Sequence, residues 1–193
     1  HDGTMLCSSY AWSSVAANVQ SALKKPVFNA GQFVFLGGYL LRSTDGGNVW
    51  EKPIIPPPCN NETRLDLFGK PVPAYNRGAM CEGKDGRIFW AVAAQTSTNI
   101  PKTSVHLMTS DDQGTTWNYS CPIATSDKVA FNETSLYQTP KGDLVAFLRT
   151  RPGPRFWAVA YLAVALGYIW PYLAANAAIP LAAAVLGRMP NAD

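Results

Sequence analysis

Short apolar runs separated by clusters of Gly, Asp, Asn and Pro fill the chain up to about residue 150. These runs lack the three- and four-residue apolar spacing of an amphipathic helix, and they have the composition of strands. The pattern therefore predicts an all-β region. Its predicted strands, several of them preceded by a turn that contains glycine, are 4–9, 32–42, 78–81, 87–93, 104–110, 135–138 and 144–149.

The turns and strands recur in a fixed order, which predicts an internal repeat. An Asp-Gly turn, two strands and an octet of the form S-x-D-x-G-x-x-W follow one another within residues 2–50 and again within residues 85–117. The octets themselves are residues 43–50 and 110–117, and a third unit begins near Phe131. Repeated small antiparallel sheets are typical of the blades of a β-propeller.

Each octet has four positions with a specific role in a tight turn. The Asp is expected to accept hydrogen bonds from inward-pointing backbone N–H groups, the Ser to bond the turn backbone, and the Gly to take a positive φ. The Trp is expected to cover the turn and to contribute about 2 to 3 kcal/mol of apolar burial. These residues are Ser43, Asp45, Gly47 and Trp50 in the first octet and Ser110, Asp112, Gly114 and Trp117 in the second.

The octet resembles the Asp box, or BNR repeat, of the sialidase (neuraminidase) superfamily and related propellers. The resemblance implies that residues 1–155 are part of a six-bladed β-propeller, about two to three blades of it. It also implies that the boxes are structural hairpins, so Asp45 and Asp112 are not expected to be catalytic acids. Asp boxes occur in enzymes and in non-enzymatic propellers, and they therefore predict a fold better than a function.

A second resemblance concerns residues 131–150. They resemble the sialidase hairpin in which a Glu opens one strand, a Gly-containing turn follows, and an Arg closes the next strand; here these are Glu133, Gly142 and Arg149. Because the strands of a hairpin are antiparallel, Glu133 and Arg149 are expected at the same edge of the sheet. An ordinary salt bridge between a surface Glu and a strand-end Arg is the alternative interpretation.

The sialidase resemblance implies a set of catalytic roles. In that family three Arg residues bind the substrate carboxylate, a Tyr is the nucleophile, a Glu tunes that Tyr, and an Asp is the acid and base. It assigns Glu133 as the base beside the Tyr and Arg149 as one of the carboxylate-binding arginines, since a guanidinium matches a carboxylate in a bidentate geometry. The predicted partner is a sialylated or another acidic glycan.

Other parts of the family's site have no clear match. Arg42, Arg77 and Asp66 are only loose matches for the first Arg and the acid/base Asp, and they are interpreted as surface residues. No blade pattern follows Arg149. The tyrosines beyond that point, in a different context, are Tyr161, Tyr168 and Tyr172. The chain by itself is therefore predicted to have no hydrolytic activity.

The tail differs in composition from the rest of the chain. Residues 156–187 contain no charged side chain and are rich in Ala, Leu and Val. Two interpretations stay open: a helix long enough to span a membrane, or a non-native, frame-shifted or fused end. The cluster of arginines just before the tail would place the body of the protein in the cytoplasm, whereas the family suggests a secreted or extracellular protein.

The charge distribution argues against a nucleic-acid-binding protein, and the cysteine spacing argues against a zinc or redox site. Residues 1–148 contain twelve basic and twelve acidic side chains, so the net charge of +3 comes from residues 149–193 and no basic stripe for nucleic acid is present. The four cysteines lack the C-x-x-C spacing of a zinc or redox site, and no metal or other cofactor is predicted. Scattered buried thiols are preferred over disulfides for these residues, which are Cys7, Cys59, Cys81 and Cys121.

Three classes of function follow from these observations. The first is a fragment of an exo-α-sialidase or related glycoside hydrolase with an incomplete active site. The second is a non-catalytic propeller that binds glycans. The third is a structural or interaction propeller tied to a membrane through residues 156–187.

Overall fold

The computed structural model describes residues 3–16, 18–19, 29–30, 32–59, 62, 64–66, 69–95, 102–151, 157–162, 164–165 and 168–169. Within these ranges all regular structure is β except for residues 18–19, whose backbone is helical. The predicted all-β class is therefore confirmed for this part of the chain. The strands are β1 (Met5–Ser14), β2 (Asn29–Ala30), β3 (Phe33–Ser43), β4 (Cys81–Glu82), β5 (Ile88–Ala94), β6 (Ser104–Ser110), β7 (Asn118–Ala124), β8 (Ala130–Gln138), β9 (Leu144–Arg151), β10 (Trp157–Leu162), β11 (Val164–Ala165) and β12 (Tyr168–Ile169).

The strands form small antiparallel sheets. The first sheet has the order β1-β3-β2, the central sheet β4-β5-β6-β7, and the third sheet β10-β9-β8, while β11 and β12 form a separate pair. Strands that follow one another in the sequence are mostly neighbours, because short turns join antiparallel strands directly.

The central sheet is buried on both faces. Along β5 the side chains of Phe89 and Ala91 pack against the third sheet, and those of Trp90 and Val92 pack toward the first. Successive residues of a strand point to opposite faces, so an unbroken apolar run such as Phe89–Ala94 suits a strand covered on both sides. The described sheets therefore stack face to face with apolar layers between them.

The two octets form turns between neighbouring strands. The second octet turn, residues 110–117, joins β6 to β7. The first octet turn, residues 43–50, joins β3 to the extended residues 51–54, where the backbone N–H groups of Leu40 and Ile54 each donate to the other's carbonyl, at 2.9 and 2.8 Å. Each octet therefore lies at the end of a hairpin.

The serine at the first position of each octet bonds the turn backbone. The Oγ of Ser43 accepts from the N–H of Gly47 at 2.9 Å, and the Oγ of Ser110 accepts from the N–H of Gly114 at the same distance. Both glycines have a positive φ, 91° and 81°. This conformation is costly for a residue with a β-carbon, which explains the glycine at the fifth position.

The aspartate at the third position accepts a bond from four residues ahead. The Oδ1 of Asp45 accepts from the N–H of Val49 at 2.9 Å, and the Oδ1 of Asp112 accepts from the N–H of Thr116 at 2.8 Å. In the second octet turn the hydroxyl of Thr116 also donates to Asp112 Oδ2 at 2.6 Å. The carboxylates are thus occupied by the turn that contains them.

Some predicted strands differ from the structure. Strand β1 continues five residues beyond the predicted end at Ser9, and β7 was not predicted. Pro122 interrupts the strand-like composition of β7, yet a proline is tolerated there because β7 is the last strand of the central sheet. Predicted residues 78–81 are largely extended without ladder pairing, and only Cys81 belongs to β4.

The prediction of a helical tail is wrong for residues 157–162. They form β10, which pairs antiparallel with β9 from Trp157 opposite Arg149 to Leu162 opposite Leu144. A short apolar run is compatible with a buried strand as well as with a helix. Here the backbone hydrogen bonds to β9 stabilise the strand. Among the described residues no helix has the length and apolar character needed to cross a bilayer. Most of the predicted tail, including residues 170–187, lies outside the described residues.

Candidate functional site

Glu133 and Arg149 form an ion pair on the third sheet. Phe131 pairs with Thr150 and Thr134 pairs with Leu148, so two residues of β8 lie opposite the single residue Arg149 of β9. This is a β-bulge, a feature that redirects a side chain relative to a regular strand. The structure therefore brings together the two residues that the sequence proposed for the site.

Two residues from elsewhere in the chain complete this group. The hydroxyl of Tyr10, on β1, donates to Glu133 Oε1 at 3.4 Å. The guanidinium carbon of Arg77 lies 3.8 Å from the centroid of the Tyr10 ring, within the range of a cation–π contact. Tyr10, Arg77, Glu133 and Arg149 are called the Tyr-Glu-Arg cluster below.

Asn76 holds the backbone on which Arg77 lies. Its buried side chain donates to the carbonyls of Ala91 and Thr134, both at 2.6 Å, and its oxygen accepts from the N–H groups of Arg77 and Gly78 at 2.8 and 2.9 Å. One amide thus ties the central sheet, the third sheet and the Arg77 loop together. Buried polar groups that are fully bonded specify one local arrangement.

Gly78 allows the Arg77 loop to approach β8 closely. A β-carbon at this position would overlap the backbone oxygen of Thr134. Because that oxygen belongs to a paired strand, it has no room to move aside, and Gly78 is needed for close packing rather than for an unusual φ. The same close approach brings Arg77 within reach of the Glu133 strand.

Tyr10 is held by aromatic neighbours on the side away from Glu133. Its ring makes edge contacts with Tyr75 and Phe35, with centroids 5.3 and 5.7 Å away. Burial raises the pKa of Tyr10 above its ordinary value of 10.0, Arg77 acts in the opposite direction, and Glu133 adds to the rise. The phenol is therefore protonated at neutral pH and acts as a hydrogen-bond donor.

The ion pair of the cluster is accessible to solvent. The side chains of Glu133 and Arg149 are 29% and 47% exposed. Ion pairs of this exposure stabilise a fold by about 1 kcal/mol or less, so a ligand that competes for Arg149 faces a small energetic cost. With two guanidinium groups and one carboxylate, the cluster carries a net positive charge.

Arg42 and Asp66, the other loose sequence matches, have structural contacts. Arg42 is buried, donates from Nε to the carbonyl of Gln113 at 2.9 Å and pairs with Glu51, so its interpretation as a surface residue is wrong. Asp66 accepts from the N–H of Lys70 at 2.9 Å in a turn. Neither contact belongs to the Tyr-Glu-Arg cluster. The backbones of Tyr161 and Tyr168 lie in β10 and β12, and Tyr172 lies outside the described residues.

Tyr10 and Asn76 were missed by the sequence interpretation. Tyr10 is separated from Glu133 by 123 positions, and no local pattern connects them. Asn76 precedes Arg77 and Gly78, and a polar residue before a glycine is a weak turn signal that occurs at many positions. Only the stacking of the first and third sheets around the Arg77 loop reveals the group.

A cavity of about 710 Å³ lies beside the cluster. Arg77 and Gly78 line one side of it, and Leu6, Cys7 and Ser8 of β1 line another.

The four cysteines are free thiols; Cys59 and Cys121 are buried, as preferred from the sequence, whereas Cys7 is exposed and Cys81 is partly buried. Within the described ranges, no three His, Cys, Asp or Glu side chains are grouped so as to hold a metal ion.

The chain shares its fold with part of a solved structure that is similar in sequence. A crystal structure of a protein of unknown function from Dyadobacter fermentans is 54% identical in sequence and superposes with a TM-score of 0.76 over 83% of this chain. The chain spans only 44% of that protein's length. Neither family models nor curated proteins gave a match.

Two sialidases are more distant in structure. The Hadza microbial sialidase Hz136 is 20% identical, with a TM-score of 0.45 over 65% of this chain and 22% of its own. A leech intramolecular trans-sialidase, complexed with 2,7-anhydro-Neu5Ac, is 20% identical, with a TM-score of 0.40 over 82% of this chain and 23% of its own. At these TM-scores neither sialidase adds support for a fold or an activity.

Proposed function

We propose that this chain is part of a sialidase-like β-propeller and that its Tyr-Glu-Arg cluster binds the carboxylate of a sialylated or another acidic glycan. One observation carries the proposal: two guanidinium groups, a phenol and a carboxylate from three separate segments of the chain form one continuous line of contacts, from Arg77 through Tyr10 and Glu133 to Arg149, and the ion pair at its end is accessible to solvent. The resemblance of the octets and of residues 131–150 to sialidases supports the choice of ligand.

The chemistry of the cluster suits a carboxylate ligand. Arg149 offers a fork of N–H donors that remains charged at any working pH, and Arg77 adds a second positive charge beside Tyr10. In the free protein Glu133 occupies Arg149. A ligand carboxylate therefore competes with Glu133, at the small energetic cost expected for an exposed ion pair.

We expect binding without turnover from this chain alone. The contact between Tyr10 and Glu133 is the phenol–carboxylate pair that a tyrosine nucleophile needs, but the raised pKa of Tyr10 disfavours the phenolate. Arg42 and Asp66, the sequence candidates for the missing Arg and acid, are engaged elsewhere. Hydrolysis, if the protein has this activity, requires residues beyond those of the cluster.

Binding is tested with the methyl α-glycoside of N-acetylneuraminic acid, titrated into the protein and followed by NMR. We expect Arg149→Ala and Arg77→Ala each to weaken binding at least about tenfold, which corresponds to about 1.4 kcal/mol. Arg87→Ala is the matched control, because Arg87 is an exposed arginine that pairs with Asp111 on the second octet turn. Equal losses in all three variants, or no binding at all, would refute the proposal.

The Glu133→Gln variant distinguishes specific binding of a carboxylate at Arg149 from non-specific electrostatic attraction of an acidic sugar. Removing the internal competitor of Arg149 is expected to tighten binding of the acidic glycoside, and the methyl ester of the same sugar should show no such gain. A variant that weakens binding of both sugars alike would argue against a carboxylate site at Arg149. Turnover of a fluorogenic α-sialoside by the purified chain would contradict only the expected inactivity and would leave the binding site in place.

A further inference from the structure

Two hairpins of the chain share one register. Glu82 lies opposite Ile88 across the turn from β4 to β5. Gln138 lies opposite Leu144 across the turn from β8 to β9. Both members of the second pair lie 56 positions after those of the first. The residues before the two turns can therefore be compared position by position.

This comparison places Arg77 and Glu133 at the same position of the repeat, and each of them follows an asparagine. Asn76 precedes Arg77, and Asn132 precedes Glu133. The side-chain oxygen of Asn76 accepts several backbone hydrogen bonds. The side-chain oxygen of Asn132 is buried and has no hydrogen-bond partner among the described residues. The repeat thus contains a matched pair, one asparagine whose oxygen is bonded and one whose oxygen is not.

The amide of Asn76 joins the segments that carry the two charged residues. Its Oδ1 accepts from the N–H of Arg77 at 2.8 Å and from the N–H of Thr134, the residue after Glu133, at 3.2 Å. Its Nδ2 donates to the carbonyl of Thr134 at 2.6 Å. An amide combines an acceptor and two donors on one rigid group, which neither aspartate nor serine does. The backbone of Arg77 is thereby fixed against the backbone beside Glu133.

Of these two segments, the Arg77 loop depends more on the amide. Thr134 belongs to the ladder that joins β8 to β9. The Arg77 loop precedes β4, and its next contact with β8 is at Ala79, whose carbonyl accepts from the N–H of Leu136 at 3.0 Å. Loss of the Asn76 amide is therefore expected to leave the loop attached through Ala79 and to release Arg77.

We propose that Asn76 is a positioning residue of the Tyr-Glu-Arg cluster: it fixes the Arg77 loop against β8 and thereby holds the Arg77 guanidinium over the Tyr10 ring. The guanidinium carbon lies 3.8 Å from the centroid of that ring. A long side chain loses rotamer entropy when it is immobilised, so a backbone that is already fixed reduces the entropy lost when a ligand binds. The effect on affinity rests on the proposed function, whereas the position of Arg77 depends on no ligand.

The variant Asn76→Ser removes the link between the segments and keeps the local turn. A serine hydroxyl accepts from the N–H groups that follow it in a turn, but it lacks the second donor and the length needed to reach Thr134. Protons over the face of an aromatic ring resonate upfield, so the side-chain NMR signals of Arg77 report its position over Tyr10. We expect this upfield shift to be lost in Asn76→Ser, as in Tyr10→Leu, and to be kept in Asn132→Ala, the matched control.

Two results in the absence of sugar would overturn the proposal. A folded Asn76→Ser protein that keeps the upfield shift would show that Asn76 only stabilises the fold, and urea denaturation establishes that the variant is folded. An equal loss of the shift in Asn132→Ala would show that any change beside the cluster displaces Arg77. If Asn76→Ser does not fold, nitrogen relaxation of the Arg77 Nε–H in the wild type decides, because a positioned guanidinium is as rigid as the backbone and a mobile one contradicts the proposal.

Titration with the methyl α-glycoside of N-acetylneuraminic acid tests the effect on affinity. Asn76→Ser should weaken binding several-fold, add little to the loss in Arg77→Ala, and keep its full effect beside Arg149→Ala, because it acts through Arg77 alone. A further several-fold loss in the Arg77→Ala background would overturn the role assigned to Asn76. If the wild type binds no sugar, the proposed function fails, and loss of the upfield shift in Asn76→Ser still assigns the positioning role.

Discussion

The two octet turns have the same internal hydrogen bonds but different surroundings. Trp117 of the second turn is 7% exposed, donates from Nε1 to the carbonyl of Gly114 at 3.0 Å, and makes an edge contact with Trp90 at 5.3 Å. Trp50 of the first turn is 40% exposed. The predicted cover of the turn by a buried tryptophan thus holds for the second turn only.

The second octet turn also connects two sheets. Arg42, next to the first turn, donates to the carbonyl of Gln113, and Leu6 of β1 packs where a β-carbon on Gly114 would lie. Around the first turn, Gly47 faces the exposed side chain of Met5. One eight-residue pattern therefore gives a free hairpin end in one place and a junction between sheets in the other.

The largest expected difference between the turns concerns the tryptophans. Trp117→Ala should lower the free energy of unfolding by about 3 to 5 kcal/mol, because it removes a buried ring and leaves a cavity against Trp90. Trp50→Ala should cost about 1 kcal/mol or less, since much of its ring already contacts water. Urea denaturation of both variants measures the difference, and similar midpoints would mean that the two turns are equally integrated.

The second largest expected difference is in the free energy of unfolding lost when each octet glycine is replaced by alanine. Gly47→Ala is expected to cost about 1 to 2 kcal/mol for the positive φ alone. Gly114→Ala should cost about 1 to 3 kcal/mol more, because the new methyl group would lie 2.7 Å from the Leu6 side chain. Combining Gly114→Ala with Leu6→Ala separates the two terms, and a double variant that shows no coupling would remove Leu6 from the explanation.

The contact of Arg42 with the second octet turn is expected to contribute less to the free energy of unfolding. Arg42→Lys should cost about 1.5 to 3 kcal/mol, because a lysine keeps the charge but does not reproduce the bond from Nε to the Gln113 carbonyl together with the Glu51 pair. Arg87→Lys is the control on the same turn, where an exposed pair with Asp111 is worth about 1 kcal/mol or less. Thermal unfolding of the two variants compares them, and equal losses would show that the buried link is no stronger than a surface pair.

The sequence predicted the local parts of this fold because their causes are local. Alternation and turn residues located β3, β5, β6 and β9 to within about two residues at each end. The pairing of Glu133 with Arg149 also followed from one hairpin. Strand β10 was mistaken for part of a helix, because its pairing with β9 is not visible in an apolar run.

The parts that depend on distant contacts could not be predicted in this way. Tyr10 reaches Glu133 only because the first and third sheets both pack around the Arg77 loop. Trp50 and Trp117 hold identical positions in their octets, and only the neighbouring sheet decides which is buried. Burial at such positions is a tertiary property, even where the turn itself is encoded by eight residues.

The smallest expected difference concerns the carboxylates of the two turns. Hydrogen bonds from the Thr116 hydroxyl and then from its backbone N–H lower the pKa of Asp112 from its ordinary 3.8 to about 2. Asp45, whose pKa is also lowered, receives the backbone bond of Val49 but has no hydroxyl donor at the equivalent position. Thr116→Val therefore makes the second turn resemble the first, and Val49→Thr does the reverse.

Thr116→Val should raise the pKa of Asp112, Val49→Thr should lower that of Asp45, and NMR titration of the side-chain carboxyl signals measures both. Because the folded pKa of Asp112 lies below the unfolded value, its stabilising contribution is present above about pH 4 and is lost as the pH falls toward about 2. The stability of wild type and Thr116→Val should therefore differ at neutral pH, by about 1 kcal/mol or less, and converge in acid. An unchanged pKa of Asp112 in Thr116→Val would mean that the hydroxyl bond adds nothing to the turn, and the difference between the two octets would then lie entirely in the contacts of Trp117, Gly114 and Gln113.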